Sequence, residues 1–410
     1  MRGTGRAISG ALLLLGFILW TAPQVSAHQA RATLHGQLTW SGSPLHAVAP
    51  SASKVRYLTV PYTAKSRQQL AAESAAGTTV QTWTRSVVAG QNGDTYPFTM
   101  LGTDVTSTNS VTTVQAIIIP INVTFSITGD VYSSTTANPS CGQNESALTG
   151  LLNSPEFKAR RWYAGTTFVG SGQYTDAQMR EEFWDWTGPG RSSPGWGLQL
   201  DPSVTPTQGI EATGFPESDA GTCDELGEID YTTWDNYLQG TLIPALSADG
   251  YITPTEFPIF LVNNVVLTQN SGTTCCIFGY HSSYDNPNFS TNTQTYAWTD
   301  YISDGQFGST TDVAGSSHEI AEWANDPYGN NPTPSWGHTG QDPNSCQNNL
   351  EVGDPLTGHV FTVQPTTPGG MAYHLQELTF MGWFFDNNFG VNGWYSTRGT
   401  FTSGATLCST

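Results

Sequence analysis

Charged residues are scarce in this chain, at 11% of 410 positions. Basic ones are scarcer still: 14 Lys and Arg against 33 Asp and Glu give a formal charge of −19. A surface of that sign repels nucleic acid and anionic membranes, so neither is an expected partner. Long apolar runs are also lacking. The stretch ALLLLGFILW near the N-terminus is too short to span a bilayer, and no later segment approaches about 18 uninterrupted apolar residues. With MRGTGR before it and Val25-Ser26-Ala27 after it, this stretch reads as a secretory leader over residues 1–27, leaving a mature chain that begins at His28. Losing the leader removes Arg2 and Arg6 and no acid, so the formal charge of −19 becomes −21. The expectation is a soluble exported protein with no membrane span.

Other absences exclude particular chemistries. No G-x-S-x-G stands at a strand-to-helix junction, so a serine triad has no support. A copper brace built on His28 would need a second His in a defined sandwich, and the composition after His28 argues against it. The six cysteines, Cys141, Cys223, Cys275, Cys276, Cys346 and Cys408, match no zinc-thiolate spacing. In an exported chain disulfides are their default, and adjacent Cys275 and Cys276 are expected to bond to two different places. What is abundant is aromatic: 13 Trp, 16 Tyr and 18 Phe can build a large core and argue against disorder.

Residues 28–108 are rich in Ala, Ser and Thr, with one candidate helix around KSRQQLAAESAA, and read as an N-terminal arm or a propeptide. Order is expected from 109 to 410. VTTVQAIIIPINVTF, from Val111 to Phe125, predicts one long buried strand in which Pro120 must sit at an edge or a bulge. FPIFLVNNVVL, from Phe257, predicts a second. ESALTGLLNSPEF, TDAQMREEFWDW (capped by Thr175 or Asp176), TTWDNYLQGTLIPAL and TTDVAGSSHEIAEWAN predict helices. Mixed strands and helices with long irregular connections make the class α+β.

The last of these helices carries the chemistry. With His318 at 0° on a helical wheel, Glu322 falls at about 40° and Glu319 at about 100°, while Val313, Ile320 and Ala324 cluster at about 200–240°. One face is apolar and the other presents an imidazole and two carboxylates. This is the layout of the HExxH helix, in which residues i and i+4 ligate zinc and the Glu at i+1 acts as base toward a water. Here Glu322 replaces the second His. A carboxylate is a competent zinc ligand, but its charge weakens the metal as a Lewis acid and admits harder cations such as manganese or calcium.

A third ligand is needed. Downstream, Glu351 and Asp354 resemble the thermolysin-like arrangement, with Glu351 completing the metal triad and Asp354 supporting a ligating histidine from behind. Asp326 is explained as an N-D-P helix stop. His281, in CCIFGYHSS, can reach the same cleft as ligand or transition-state donor.

CIFGYHSS at 276–283, YAW at 296–298, SHEIAEWANDP at 317–327 and EVGD at 351–354 occur in this order, and in that order the chain resembles the Exordium or phosphate-induced protein family of secreted plant proteins and related bacterial extracellular proteins. The similarity runs from about Val111 to the C terminus. It implies an extracellular or wall-associated protein with a zincin-like core and points to His281, His318, Glu319, Glu322, Glu351 and Asp354. The resulting expectation is a secreted metal-dependent hydrolase, peptidase-like, with zinc on His318, Glu322 and Glu351 and Glu319 as base, acting on a peptide or cell-wall glycan. The alternative is a non-catalytic extracellular or wall-associated binding protein that keeps the fold and uses its acids for structure or calcium.

Overall fold

The computed structural model describes residues 33 and 35–409, apart from 44, 49–50, 52–53, 140–142, 220–224, 271, 273 and 304–305. The leader, His28, Cys141 and Cys223 lie outside the described residues.

The chain is mixed α and β, organised on a twelve-stranded mixed sheet. Val111–Phe125 lies inside it. Phe257–Asn263 runs parallel along one edge, Asn292–Tyr301 parallel beyond that, and Thr274–Asn286 antiparallel beyond that. Along the other edge, Gly197–Val204 pairs with its first half and Gln208–Thr213 with its last part. Successive side chains of a strand face opposite ways. Val114, Ala116 and Ile118 therefore enter one apolar core, while Ile117, Ile119, Ile121 and Val123 enter another on the opposite face. Helices and hairpins cover both faces, which is why the run AIIIPI is buried without interruption.

Two strand expectations need correction. Pro120 lies within a central strand, at neither an edge nor a bulge. It sits where partners change: Gly197–Val204 ends opposite Ile118, Gln208–Thr213 begins opposite Ile121, and Phe257–Asn263 reaches its last pair at Leu261 opposite Pro120. A missing N–H is tolerated at such a handover. FPIFLVNNVVL is two strands, Phe257–Asn263 and Val265–Gln269, broken at Asn264, whose φ of 53° is a left-handed conformation that asparagine tolerates.

The predicted helices form at Ala147–Asn153, Tyr174–Glu182, Tyr231–Tyr237 (continuing through a wider turn into Ile243–Ala248) and Ala314–Asn325. Ser146 and Asp230 cap theirs through side chains. Thr175 and Asp176 do not cap: the N-cap is Gln173, and Asp176 instead accepts from Leu198 N at 2.9 Å.

The arm is built into the fold. His35–Thr39 and Arg56–Thr59 join the main sheet, and the hairpin Thr82–Val88/Thr95–Leu101 places Trp83, Phe98 and Met100 in the same core as Ile320 and Trp323. Cys275 and Cys276, expected to diverge, are bonded to each other, both buried beside Val266, Phe278 and Phe307. Cys346 and Cys408 pair across 62 residues, which leaves neither adjacent cysteine a distant partner among the described residues.

The helix Tyr174–Glu182 is buried on nearly every side, and its acids go inward with it. Burial pushes Glu182, and Glu156 beneath the same helix, up to about 8, against the opposing hydrogen bonds from Gln178 and Thr175. Both stay protonated in the folded chain where the unfolded chain has already ionised. Their contribution is complete below about pH 4.5 and is lost as pH rises toward about 8. Urea unfolding is therefore expected to show higher stability at pH 5 than at pH 8. The double variant Glu156→Gln/Glu182→Gln should flatten that dependence, gaining on the order of 2–5 kcal/mol at pH 8.

Candidate metal centre

The first turn of the helix Ala314–Asn325 is made of Ala, Gly and Ser, and the small residues let it press onto the sheet. A Cβ on Gly315 would lie 3.3 Å from the carbonyl oxygens of Asp300 and Phe278, and Ser316 Oγ meets Thr299 Oγ1 at 3.0 Å. His374 tethers the helix entrance, its Nδ1 2.6 Å from Asp312 Oδ2. At the exit Asp326 caps the following loop, accepting from Asn330 N at 3.0 Å and Asn331 N at 2.7 Å, which accounts for this residue as a helix stop. Val313, Ile320, Ala321, Trp323 and Ala324 enter the core, and Phe257 stacks on Trp323 at 3.5 Å. His318, Glu319 and Glu322 are left on the other face, pointing toward the strand Thr274–Asn286 and the loop 350–354.

His318 Nε2 lies 3.0 Å from Glu322 Oε1 and 3.5 Å from Asp354 Oδ1. Neither ring nitrogen of His318 has a hydrogen-bond partner, and Asp354 Oδ1 has none either. Tetrahedral ligands about 2.0–2.1 Å from a common zinc stand about 3.3 Å apart, so this spacing suits three donors around one ion better than a hydrogen-bonded pair. Gln347 Nε2 donates to Asp354 Oδ2 at 3.1 Å and Gly353 N to Glu322 Oε1 at 3.0 Å, fixing both carboxylates. Glu351 stands outside the His318 group. Its carboxyl lies against that of Glu322, Asn349 Nδ2 donates to its Oε1 at 2.9 Å, and its Oε2 has no partner.

His281 Nε2 lies 2.9 Å from the Asp326 carbonyl oxygen and so carries the proton, leaving the Nδ1 lone pair 3.4 Å from Glu319 Oε2 and 3.8 Å from Glu322 Oε2. Burial, opposed by that backbone bond, depresses the imidazole to about 4, so it is neutral. The structure thus brings five of the six residues singled out in the sequence into two donor groups that share Glu322, namely His318, Glu322 and Asp354, and His281, Glu319 and Glu322; Glu351, expected as the third ligand, is in neither and lies against Glu322.

All six are between 0 and 2% exposed, and among the described residues no Lys or Arg pairs with any of the four acids. Burial pushes the Glu319, Glu322 and Glu351 carboxyls well above the usual range. His318 partly offsets this at Glu319, while Asp354 adds to it at Glu322, and Glu322 adds to it at Glu351. A buried cluster of this kind is relieved by protons or by a divalent cation, and the unpartnered imidazole and carboxylate atoms converging on one point fit the cation.

Three participants carried little sequence signal. A Cβ on Gly353 would lie 2.4 Å from His318 Nδ1, and one on Gly279 would lie 2.6 Å from Glu319 Oε1, so both glycines are needed for close approach. Tyr57, from the arm, stacks on the His318 imidazole with ring centroids 3.4 Å apart and is itself 3% exposed.

No protein-family model, curated protein or solved structure matches this chain.

Gly353→Ala is expected to displace the imidazole. Divalent-metal affinity measured by competitive chelation should fall at least tenfold, and urea unfolding should report a loss of about 1–3 kcal/mol from overpacking.

Proposed function

We propose that this chain is a secreted metal-dependent hydrolase, peptidase-like, with a zincin-like core in which His318, Glu322 and Asp354 hold one zinc ion. The observation that carries the reading is the meeting of these three donors, buried, unpaired by any Lys or Arg, with oxygen and nitrogen atoms 3.0 and 3.5 Å apart. One imidazole with two carboxylates favours zinc. Manganese is a plausible competitor for such a set, whereas calcium asks for six to eight oxygens. The resemblance to Exordium-type proteins, the leader-like N-terminus and the two disulfides among the described residues support an extracellular place of work.

Zinc held there would act as a Lewis acid and lower the pKa of water to near neutrality. Glu319, next to the ligand His318, is the residue positioned to take the proton from the attacking water. Its burial raises its proton affinity, which suits it to receive a proton and return it to a leaving group. His281 serves the protonated form of Glu319: with Nε2–H committed to Asp326 O, its Nδ1 lone pair faces the Glu319 carboxyl and can accept from it once that carboxyl carries a proton. Glu351 adds negative charge beside Glu322 and strengthens cation binding at the expense of Lewis acidity.

The closure of the site favours one other reading, a structural cation in a non-catalytic extracellular binding protein. Elemental analysis of the secreted protein, together with hydrolysis of a mixed peptide library, separates the two. The hydrolase reading expects about one zinc per chain, lost in His318→Ala. It also expects Glu319→Gln to keep the metal while hydrolysis falls at least a hundredfold. Calcium or no metal, with Glu319→Gln indistinguishable from wild type, would assign the structural role instead.

A further inference from the structure

The site is closed by a short piece of the chain's own N-terminal segment. Val265–Gln269 pairs with the edge of Thr274–Asn286 only as far as Ile277, and from Ile277 to His281 the same edge is taken by Arg56–Thr59, in parallel, with Thr59 opposite His281. The far side of this four-residue strand is held by side chains. Tyr57 N donates to Gln341 Oε1 at 2.7 Å, Gln341 Nε2 donates back to Tyr57 O at 3.2 Å, and Asn349 Nδ2 donates to Thr59 Oγ1 at 2.8 Å. Gln341 thus acts as a one-residue β-strand. Its two bonds use only main-chain groups, which every non-proline residue supplies in an extended conformation.

Tyr57 fits its place imperfectly. Its ring covers His318, but its hydroxyl is buried without a partner, and burial together with Glu319, Glu322 and Asp354 drives its pKa well up. The aromatic face belongs in this position and the hydroxyl contributes nothing to it. Alongside, a cleft of about 560 Å³ opens to solvent between Thr59, Pro61, Asn330, Asn331, Gln347 and Asn349, so the covering segment forms part of its wall. Immediately after it, Thr63 and Ala64 are exposed.

We propose that residues 55–62, VRYLTVPY, are an internal occupant of a peptide-docking edge. Once they leave, Ile277–His281, Gln341 and Asn349 accept an extended peptide from another chain, with an aromatic side chain over His318. This inference rests on the hydrolase reading of the centre and names its substrate class, an extended polypeptide with Phe or Tyr at that position. Strand addition of this kind draws affinity from main-chain hydrogen bonds and specificity from the pocket under alternate side chains. The segment is also a cover: while it is in place, no substrate backbone reaches Glu319.

The test uses the full chain with a protease site inserted between Thr63 and Ala64, before and after cutting, in metal-free buffer so that peptide binding is read independently of zinc. Fluorescein-labelled VRYLTVPY is followed by anisotropy. The cut chain is expected to bind it at least tenfold more tightly than the intact chain. The peptide with Phe in place of Tyr should bind at least as well, and the one with Ala at least tenfold more weakly. Equal binding of the Ala and Tyr peptides, or no binding by a cut chain whose near-ultraviolet circular dichroism is unchanged, overturns the proposal. If cutting unfolds the chain, hydrogen exchange on the intact protein decides. The Leu58 amide must exchange at least a hundredfold faster than those of Phe257–Asn263, and equal protection overturns the proposal. Zinc content measured on the same samples tests the metal reading separately: one zinc per chain without peptide binding refutes the docking edge alone.

Discussion

Four carboxyl groups and two imidazoles lie buried together with no Lys or Arg paired to them among the described residues, and the local structure is organised around that burial. Each isolated buried carboxylate costs several kcal/mol unless it is protonated, hydrogen-bonded or matched by a cation. The surrounding residues meet part of this demand one atom at a time: Gly353 N and Gln347 serve Glu322 and Asp354, and Asn349 serves Glu351. Among the atoms left over, His318 Nε2 and Asp354 Oδ1 stand 3.5 Å apart.

The scaffold makes this concentration of polarity tolerable. Ile118, Phe257 and Trp323 form a continuous apolar block on one side of the helix Ala314–Asn325, and the sheet behind it is buried on both faces. The helix therefore cannot rotate to expose its acids without exposing Ile320 and Trp323. Burying that apolar face is worth several kcal/mol, which offsets part of the cost of keeping His318 and Glu322 out of water. Small side chains at Gly315 and Ser316 set the depth at which the helix seats, and Gly279 and Gly353 set how closely strand and loop approach it.

Much of this could be read from the sequence because it is periodic. The run from Val111 is dense in β-branched residues and its centre is continuously apolar, and the HEIAE helix separates its apolar and polar faces at helical spacing, so both elements and the candidate donors followed from residue type and position. Glu351 and Asp354 were harder. Three residues apart, both face the centre, and which one reaches His318 depends on the turn at Gly353 and the short helix Asp354–Leu356 that follows it. Residue spacing does not encode that difference. Arg56–Thr59 had no signal at all: four residues in a Ser- and Thr-rich stretch acquire strand geometry only because an edge is open beside them, so tertiary context overrides propensity there. The same holds for Cys275 and Cys276, whose pairing depends on where the other cysteines lie.

The cover and the carboxylate-rich donor set are physically linked. Replacing a neutral imidazole by Glu322, with Glu351 and Asp354 close by, raises the negative potential at the centre, and the attraction this exerts on a divalent ion grows as water is excluded and the effective dielectric falls. With Tyr57 over His318, the electrostatic grip is at its strongest and water at its scarcest. On the proposed reading, vacating the edge would let solvent reach the ring of His318 and screen the carboxylates, which would weaken the hold on a bound ion while admitting the water that a hydrolase consumes. A site built from two imidazoles would gain less from being covered, because neutral donors depend less on the dielectric around them. On that reading the charge set by Glu322 and the dielectric set by the covering strand act together on one quantity, the electrostatic attraction at His318, and the movement of a single four-residue strand would change both retention of an ion and access to it.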